Sequence, residues 1–227
     1  MRILLTGFEP FAGRGVNPSW EAAQQLQGAA AGPARIDVLR VPVVWRESVA
    51  TIVRELEREP ADGLIIGGLS FGRPAISVEA IAHALGDVPW QGDNADRALV
   101  AERSDGDDHG PHALFATAPV RAIAQAINAA GIPAHLSWDG GAYVSNATLY
   151  GALRYAADHG LRLPTTYLHV PGTPEMTTGT ATPSLPLDLI VAAFRIGCEV
   201  VAAHTGPDAV LRRWPSAMAP LARPLPR

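Results

Sequence analysis

Ile3, Leu4 and Leu5 form a short apolar run that Thr6 and Gly7 stop, the pattern of a buried strand entering a loop. Asn17 ahead of Pro18 sets a capping side chain before a proline at the first helical position, which predicts a helix running through Trp20 to Leu26. Alternating positions from Arg35 to Val44 predict a second strand. Val49, Ile52, Val53 and Leu56 then recur at helical spacing until Pro60 ends the helix. Leu64, Ile65 and Ile66, bracketed by Gly63 and Gly68, predict a third buried strand ending in the loop Leu69 to Arg73, and the stretch Ala75 to Leu85 begins extended.

From Asp87 to Pro111 the apolar pattern lapses into Asp, Gly, Asn and His, too polar to pack by itself, so a long, mobile surface loop overlying the pocket is expected. Helical spacing returns with Val120, Ile123, Ala124 and Ile127 and closes at Gly131 and Pro133. A strand from Ala134 to Ser137 leads through Asp139, Gly140 and Gly141 into a helix over roughly Ser145 to His159. Thr165 to Val170 is a further strand, ended by Pro171 and Gly172. The last helix, Pro186 to Ala203, carries Leu187, Ile190, Val191, Phe194, Cys198 and Val201 at core spacing. Past Trp214 the chain is rich in proline and alanine, so a single domain over residues 1–213 and a loosely attached tail over 214–227 are expected.

Strands alternating with amphipathic helices predict an α/β fold, a three-layer α/β/α sandwich whose central sheet is twisted and mostly parallel. Ligands in such folds sit at the carboxyl ends of the strands. Four loops meet that condition: Gly7 to Gly13, Leu69 to Arg73, Asp139 to Ser145, and the segment after His169.

Composition narrows the function. A chain of 227 residues, 48% hydrophobic, buries one sizeable core. A net charge of −4 with only 18 Lys and Arg leaves no basic excess for a phosphate backbone, so no nucleic-acid partner is expected. The N-terminal apolar run is too short for a signal or membrane helix; no membrane association and a cytoplasmic location are expected. Cys198 is the single cysteine, which excludes an intrachain disulfide and a cysteine-based zinc site.

The chemistry centres on Ser145, exposed where a strand and a glycine turn meet a helix start, where the dipole and unpaired N–H groups favour an oxyanion. A serine that only caps the helix is the commoner reading of such a spot. His169 is held on a rigid strand end, as suits a general base, although histidines there are more often simply satisfied polar residues. Glu79 lies in an apolar stretch where a buried carboxylate needs a partner such as histidine; a solvated face is the alternative. Phe8 and Phe11 flank the first strand's end and read either as core or as an apolar clamp for a small flat ring. GGLSFGR lacks the Lys-Ser or Lys-Thr pair of a phosphate loop, which argues against nucleotide binding. Asp105, Asp107, Asp108, His109 and His112 hold the atoms of a metal site but follow no ligand spacing, so a solvated loop is the better reading and no metal is expected.

LLTGFEPFAG with NPSWEA, GLSFGRPAISVEAIA, SWDGGAYVSN and YLHVP together resemble the pyroglutamyl-peptidase I family, also called pyrrolidone-carboxylate peptidase, in the family's order and over nearly the whole chain to about Ala203. The resemblance implies an α/β/α, phosphorylase/hydrolase-like fold and an enzyme that removes N-terminal pyroglutamate from small peptides. It further implies a homodimer or homotetramer that uses no cofactor. It assigns Glu79 and His169 to the catalytic acid and base and puts Ser145 at the nucleophile position. Phe8, Phe11, Leu69, Tyr143 and Val144 then line the ring pocket, with backbone groups near Leu69 meeting the lactam.

The chain also departs from that pattern. Ser145 replaces a cysteine, and Asp139 and Gly140 stand where the family usually has serine and alanine. HALGDVPWQGDN carries no arginine where the family places one that stabilises the oxyanion; Pro89 and its neighbours occupy that stretch. A serine hydroxyl is a far weaker acid than a thiol, so reduced or altered activity through Ser145, His169 and Glu79 is expected. Two alternatives stay open: an inactive paralogue that still binds a pyroglutamyl or related ligand, and metal-assisted hydrolysis through the loop from Asp107 to His112.

Overall fold

The apolar N-terminal run forms β1 (Arg2–Phe8), buried along its whole length. The structure, a computed structural model, describes residues 1–205. The expected boundary at residue 213 and the tail beyond it lie outside these residues.

Asn17 caps α1 (Pro18–Ala23) by accepting from Ser19 N at 3.1 Å, with Pro18 at its first position, so that start signal was read correctly. A hairpin of β2 (Ala30–Ala31) and β3 (Ala34–Val41) follows, then α2 (Glu47–Arg58) and β4 (Gly63–Leu69), the fully buried apolar strand. The extended stretch after it splits into β5 (Ile76–Glu79), β6 (Ile81–His83) and β7 (Leu85–Gly86). β8 (Glu102–Arg103) pairs with β7, and β9 (Ala113–Phe115) with β6. The remainder is α3 (Val120–Ala129), β10 (Ala134–Ser137), α4 (Val144–Asp158), β11 (Thr165–Val170), the short α5 (Pro174–Thr177) and α6 (Leu187–Thr205).

The main sheet has seven strands in the order β10-β5-β11-β4-β1-β3-β2. Alternate residues of each strand face opposite layers, which is why the apolar runs are continuous rather than alternating. Ile3, Leu5, Ile65 and Leu168 join the core under α1, α3 and α6, whereas Leu4, Leu64, Ile66 and Tyr167 join the core under α2 and α4. The expected sandwich is thus present, and β1, β3, β4 and β11 are mutually parallel.

β5, however, runs antiparallel to β11, and β10 follows β5. Glu79, the last residue of β5, therefore lies opposite Tyr167 in the body of the sheet, away from the end where β1 and β4 finish. The loop after β10 nevertheless meets the loop after β4, Arg73 Nη2 donating to Asp139 O at 2.9 Å, and Tyr143 to Ser145 line one pocket with Phe8 and Leu69.

The segment from Asp87 to Pro111 packs more than its composition suggested. Val88, Asp93, Leu99 and Ser104 are buried. Asp93 collects the N–H groups of Trp45, Ala95 and Arg97 at 2.8–2.9 Å, and Asn94 donates to Glu9 Oε1 at 2.7 Å and Pro10 O at 2.9 Å. One buried carboxylate gathering several backbone donors substitutes for the missing apolar groups.

Candidate active site

His169 and Glu79 form the buried centre. Both lie on sheet strands at 3% and 1% exposure, and His169 Nδ1 meets Glu79 Oε1 at 2.7 Å. With Nδ1 donating to the carboxylate, Nε2 keeps its lone pair free. Burial pushes the imidazole pKa below its ordinary value, against the opposing pull of the Glu79 charge.

Arg73 also meets that carboxylate oxygen, its Nη1 lying 3.1 Å from Glu79 Oε1. It further donates to Ser70 Oγ, Ser137 Oγ and Asp139 O at 2.9–3.3 Å, clamping the loop after β4 to the segment after β10. Glu79 Oε2 is buried without a hydrogen-bond partner.

Ser145 is the second residue of α4, whose N-cap is Tyr143 with no side-chain cap bond. Ser145 is therefore not the capping residue, and the first-turn N–H groups have no intrahelical acceptor. Asn146 anchors this helix start: its Oδ1 accepts from His83 N at 3.0 Å and its Nδ2 donates to His83 O at 2.8 Å.

Ser145 opens into a small pocket of about 270 Å³ with Phe8, Phe11, Leu69, Tyr143 and Val144, the residues expected there. Asn17, Val43, Gly68 and Tyr167, not singled out from sequence, line it too. Phe8 serves the core and the pocket at once, whereas Phe11 is half-buried and faces Tyr143 with ring centroids 6.1 Å apart. The Tyr143 hydroxyl donates to Gly92 O at 2.8 Å, tying the 87–111 segment to the pocket wall. β4 pairs with β1 only as far as Ile66, so the edge of Gly68 and Leu69 facing β1 is left unpaired beside the pocket.

A nucleophile, base and acid acting together place His169 within hydrogen-bond reach of both Glu79 and Ser145. The bond to Glu79 is made; among the described residues none joins His169 to Ser145 Oγ. Tyr167 packs its ring on His169, with centroids 4.4 Å apart, and lines the same pocket as Ser145. No arginine is among the pocket's lining residues.

The alternative metal cluster is spent on arginines: Asp105 pairs with Arg103 at 2.9 Å and Asp107 with Arg154 at 3.1 Å. Among the described residues no group of three or more His, Cys, Asp or Glu side chains converges as metal ligands, and no helix is long and apolar enough to cross a membrane. Cys198 is fully buried in α6, where burial pushes its thiol pKa up and leaves it unreactive.

A buried histidine–carboxylate pair on an α/β sheet, beside a pocket headed by a hydroxyl at a helix start, is the arrangement of a hydrolase. Comparison with known proteins makes it specific. The family profile described as pyroglutamyl peptidase matches residues 1–204. A pyrrolidone-carboxylate peptidase of Bacillus velezensis is 36% identical over 203 residues, covering 89% of this chain and 93% of that protein. One from Chromobacterium violaceum is 37% identical over 199 residues, covering 87% and 91%. The crystal structure of Bacillus amyloliquefaciens pyroglutamyl peptidase I superimposes with a TM-score of 0.86 at 36% identity, over 90% of this chain and 98% of that one. The chain belongs to the pyroglutamyl peptidase family.

Arg73, Asn146 and Tyr167 went unnoticed in the sequence. Arg73 stands in GLSFGRPAISVEAIA, six residues before Glu79, and Asn146 directly follows Ser145. Tyr167 gave no signal, because an aromatic in an apolar strand reads as core.

Proposed function

We propose that this protein removes N-terminal pyroglutamate from peptides, with Ser145 as nucleophile, His169 as general base and Glu79 as the acid that orients it. The observation that carries the reading is the buried His169–Glu79 pair at 2.7 Å, whose neighbour Tyr167 lines the pocket that holds Ser145, Phe8, Phe11 and Leu69 together. The pyroglutamyl ring has apolar faces for Phe8 and Phe11, and its lactam matches the unpaired strand edge at Gly68 and Leu69. An uncharged lactam enters such a pocket more cheaply than a free ammonium group.

In the reaction the Ser145 hydroxyl proton passes to His169 Nε2 as Oγ bonds the scissile carbonyl carbon. The tetrahedral oxyanion is received by N–H groups at the start of α4. Collapse expels the peptide's amine, which takes its proton from His169, and water repeats the sequence to free pyroglutamate. Ser145 and His169 must approach on substrate binding, as catalytic pairs commonly do. Because a hydroxyl replaces a thiol and no arginine lines the pocket, turnover is slow. The active form is a cytoplasmic homodimer or homotetramer.

The unmade bond between His169 and Ser145 favours a second reading, an inactive paralogue that binds the same ligand. Hydrolysis of a pyroglutamyl anilide by the purified full-length protein, beside Ser145→Ala and Ser145→Cys, separates the two. Slow native turnover that Ser145→Ala abolishes supports the hydrolase. Fast turnover indifferent to Ser145→Ala overturns the nucleophile assignment. Pyroglutamate binding seen by calorimetry without any turnover establishes the binding protein.

A further inference from the structure

Tyr167 carries an unusual hydroxyl. Its side chain is only 2% exposed, and its ring lies between Phe8, at 6.2 Å, and His169, at 4.4 Å between centroids. Both neighbours fix its direction, so the phenol leans along the sheet toward Gly68 and into the pocket. Only glycine allows that approach: a Cβ at position 68 would sit 1.6 Å from the tyrosine oxygen. Among the described residues the hydroxyl makes no hydrogen bond, and it shares the pocket with the Ser145 hydroxyl. A buried tyrosine O–H ordinarily finds an acceptor, and the Ser145 hydroxyl lines the same pocket.

We propose that the Tyr167 hydroxyl donates a hydrogen bond to Ser145 Oγ and stabilises the negative charge that develops there, doing for a serine what a thiol's own acidity does for a cysteine. The inference rests on Ser145 being the nucleophile. Tyr167 keeps its proton throughout: the Ser145 proton goes to His169 Nε2, and the phenol only donates to the oxygen left behind. It is suited to this, because burial, reinforced by the Glu79 charge, holds the phenol pKa well above its ordinary value, so it remains a donor into alkaline solution. Its donation to a charged oxygen in a site that excludes water is strong.

The test crosses Tyr167→Phe with Ser145→Cys in the full chain. Phenylalanine keeps the ring against His169 and Phe8 and removes only the oxygen. The readout is the second-order rate of covalent labelling at position 145, by a fluorophosphonate for serine and by iodoacetamide for cysteine, followed by intact mass with thermal unfolding in parallel. Tyr167→Phe is expected to slow serine labelling on the order of 10- to 100-fold, the range for one hydrogen bond to a charged group. In the Ser145→Cys background it is expected to change cysteine labelling by less than about 3-fold, because a thiol ionises without that donor. Equal losses in both backgrounds would reduce Tyr167 to a packing residue and overturn the proposal, as would unchanged serine labelling. If the native serine is not labelled while Ser145→Cys is alkylated, the serine-nucleophile reading itself fails and the proposal falls with it. Serine labelling that is robust but insensitive to Tyr167→Phe sinks the proposal alone.

Discussion

Glu79→Gln isolates the charge of the acid from its shape. In the native site one carboxylate oxygen receives both His169 Nδ1 at 2.7 Å and Arg73 Nη1 at 3.1 Å, at 1% exposure. The amide oxygen can accept the same bonds, but it no longer balances the imidazolium formed when His169 takes the serine proton. It also leaves the Arg73 guanidinium near that imidazolium without its counter-charge. Replacing the acid of a serine-protease triad by its amide costs about 10⁴-fold in kcat, and a loss of about 10³- to 10⁴-fold is expected here on the same logic. Stability should fall less, by about 3 kcal/mol, the low end for breaking a buried ion pair, since Arg73 itself is partly exposed. Arg73 also keeps its bonds to Ser70, Ser137 and Asp139. Single-turnover acylation by a pyroglutamyl anilide, in native and Ser145→Cys backgrounds, measures the first quantity, and denaturant unfolding the second. A kinetic loss below tenfold in a variant of unchanged fold would show that His169 works without Glu79, and the assignment of the acid would be withdrawn.

The remaining expectations concern pH, the thiols and the 87–111 segment. His169 must be neutral to act as base and its pKa is lowered by burial, so the acid limb of kcat/KM should lie below the ordinary histidine value of about 6.5, and a limb above it would contradict the burial argument. The same shift bears on stability: the unfolded chain takes up the proton first, so the His169 contribution is complete above about pH 6.5 and is lost as pH falls toward the folded value. Ser145→Cys should hydrolyse the anilide faster than the native protein and become sensitive to alkylation, while alkylating agents leave the native protein untouched because Cys198 is buried; native inactivation by iodoacetamide would count against this. Asp93→Ala removes the acceptor of the Trp45, Ala95 and Arg97 N–H groups and should cost about 2–3 kcal/mol in chemical unfolding, with the 87–111 amides exchanging faster; unchanged exchange would mean that the carboxylate does not hold the segment.

Periodicity in the sequence was enough for the strands at Ile3–Leu5 and Leu64–Ile66, the Asn17–Pro18 helix start and the core face of the last helix, because each depends on neighbours within a few residues. The motifs also carried Glu79, Ser145 and His169, together with the pocket residues Phe8, Phe11 and Leu69. Strand direction was beyond local reading: a buried strand of β5 is equally apolar whichever way it runs, and only its pairing with β11 turns it around and sets Glu79 opposite Tyr167. The anchoring of the 87–111 segment was hidden for a related reason, since counting apolar residues takes no account of a single carboxylate that gathers backbone donors from its own loop and from Trp45. The face of β11 was decided in the same way. Tyr167 and His169 lie two residues apart and so point to one side of the sheet, but the side that received α4, and with it Ser145, was settled by how the two cores packed against the completed sheet.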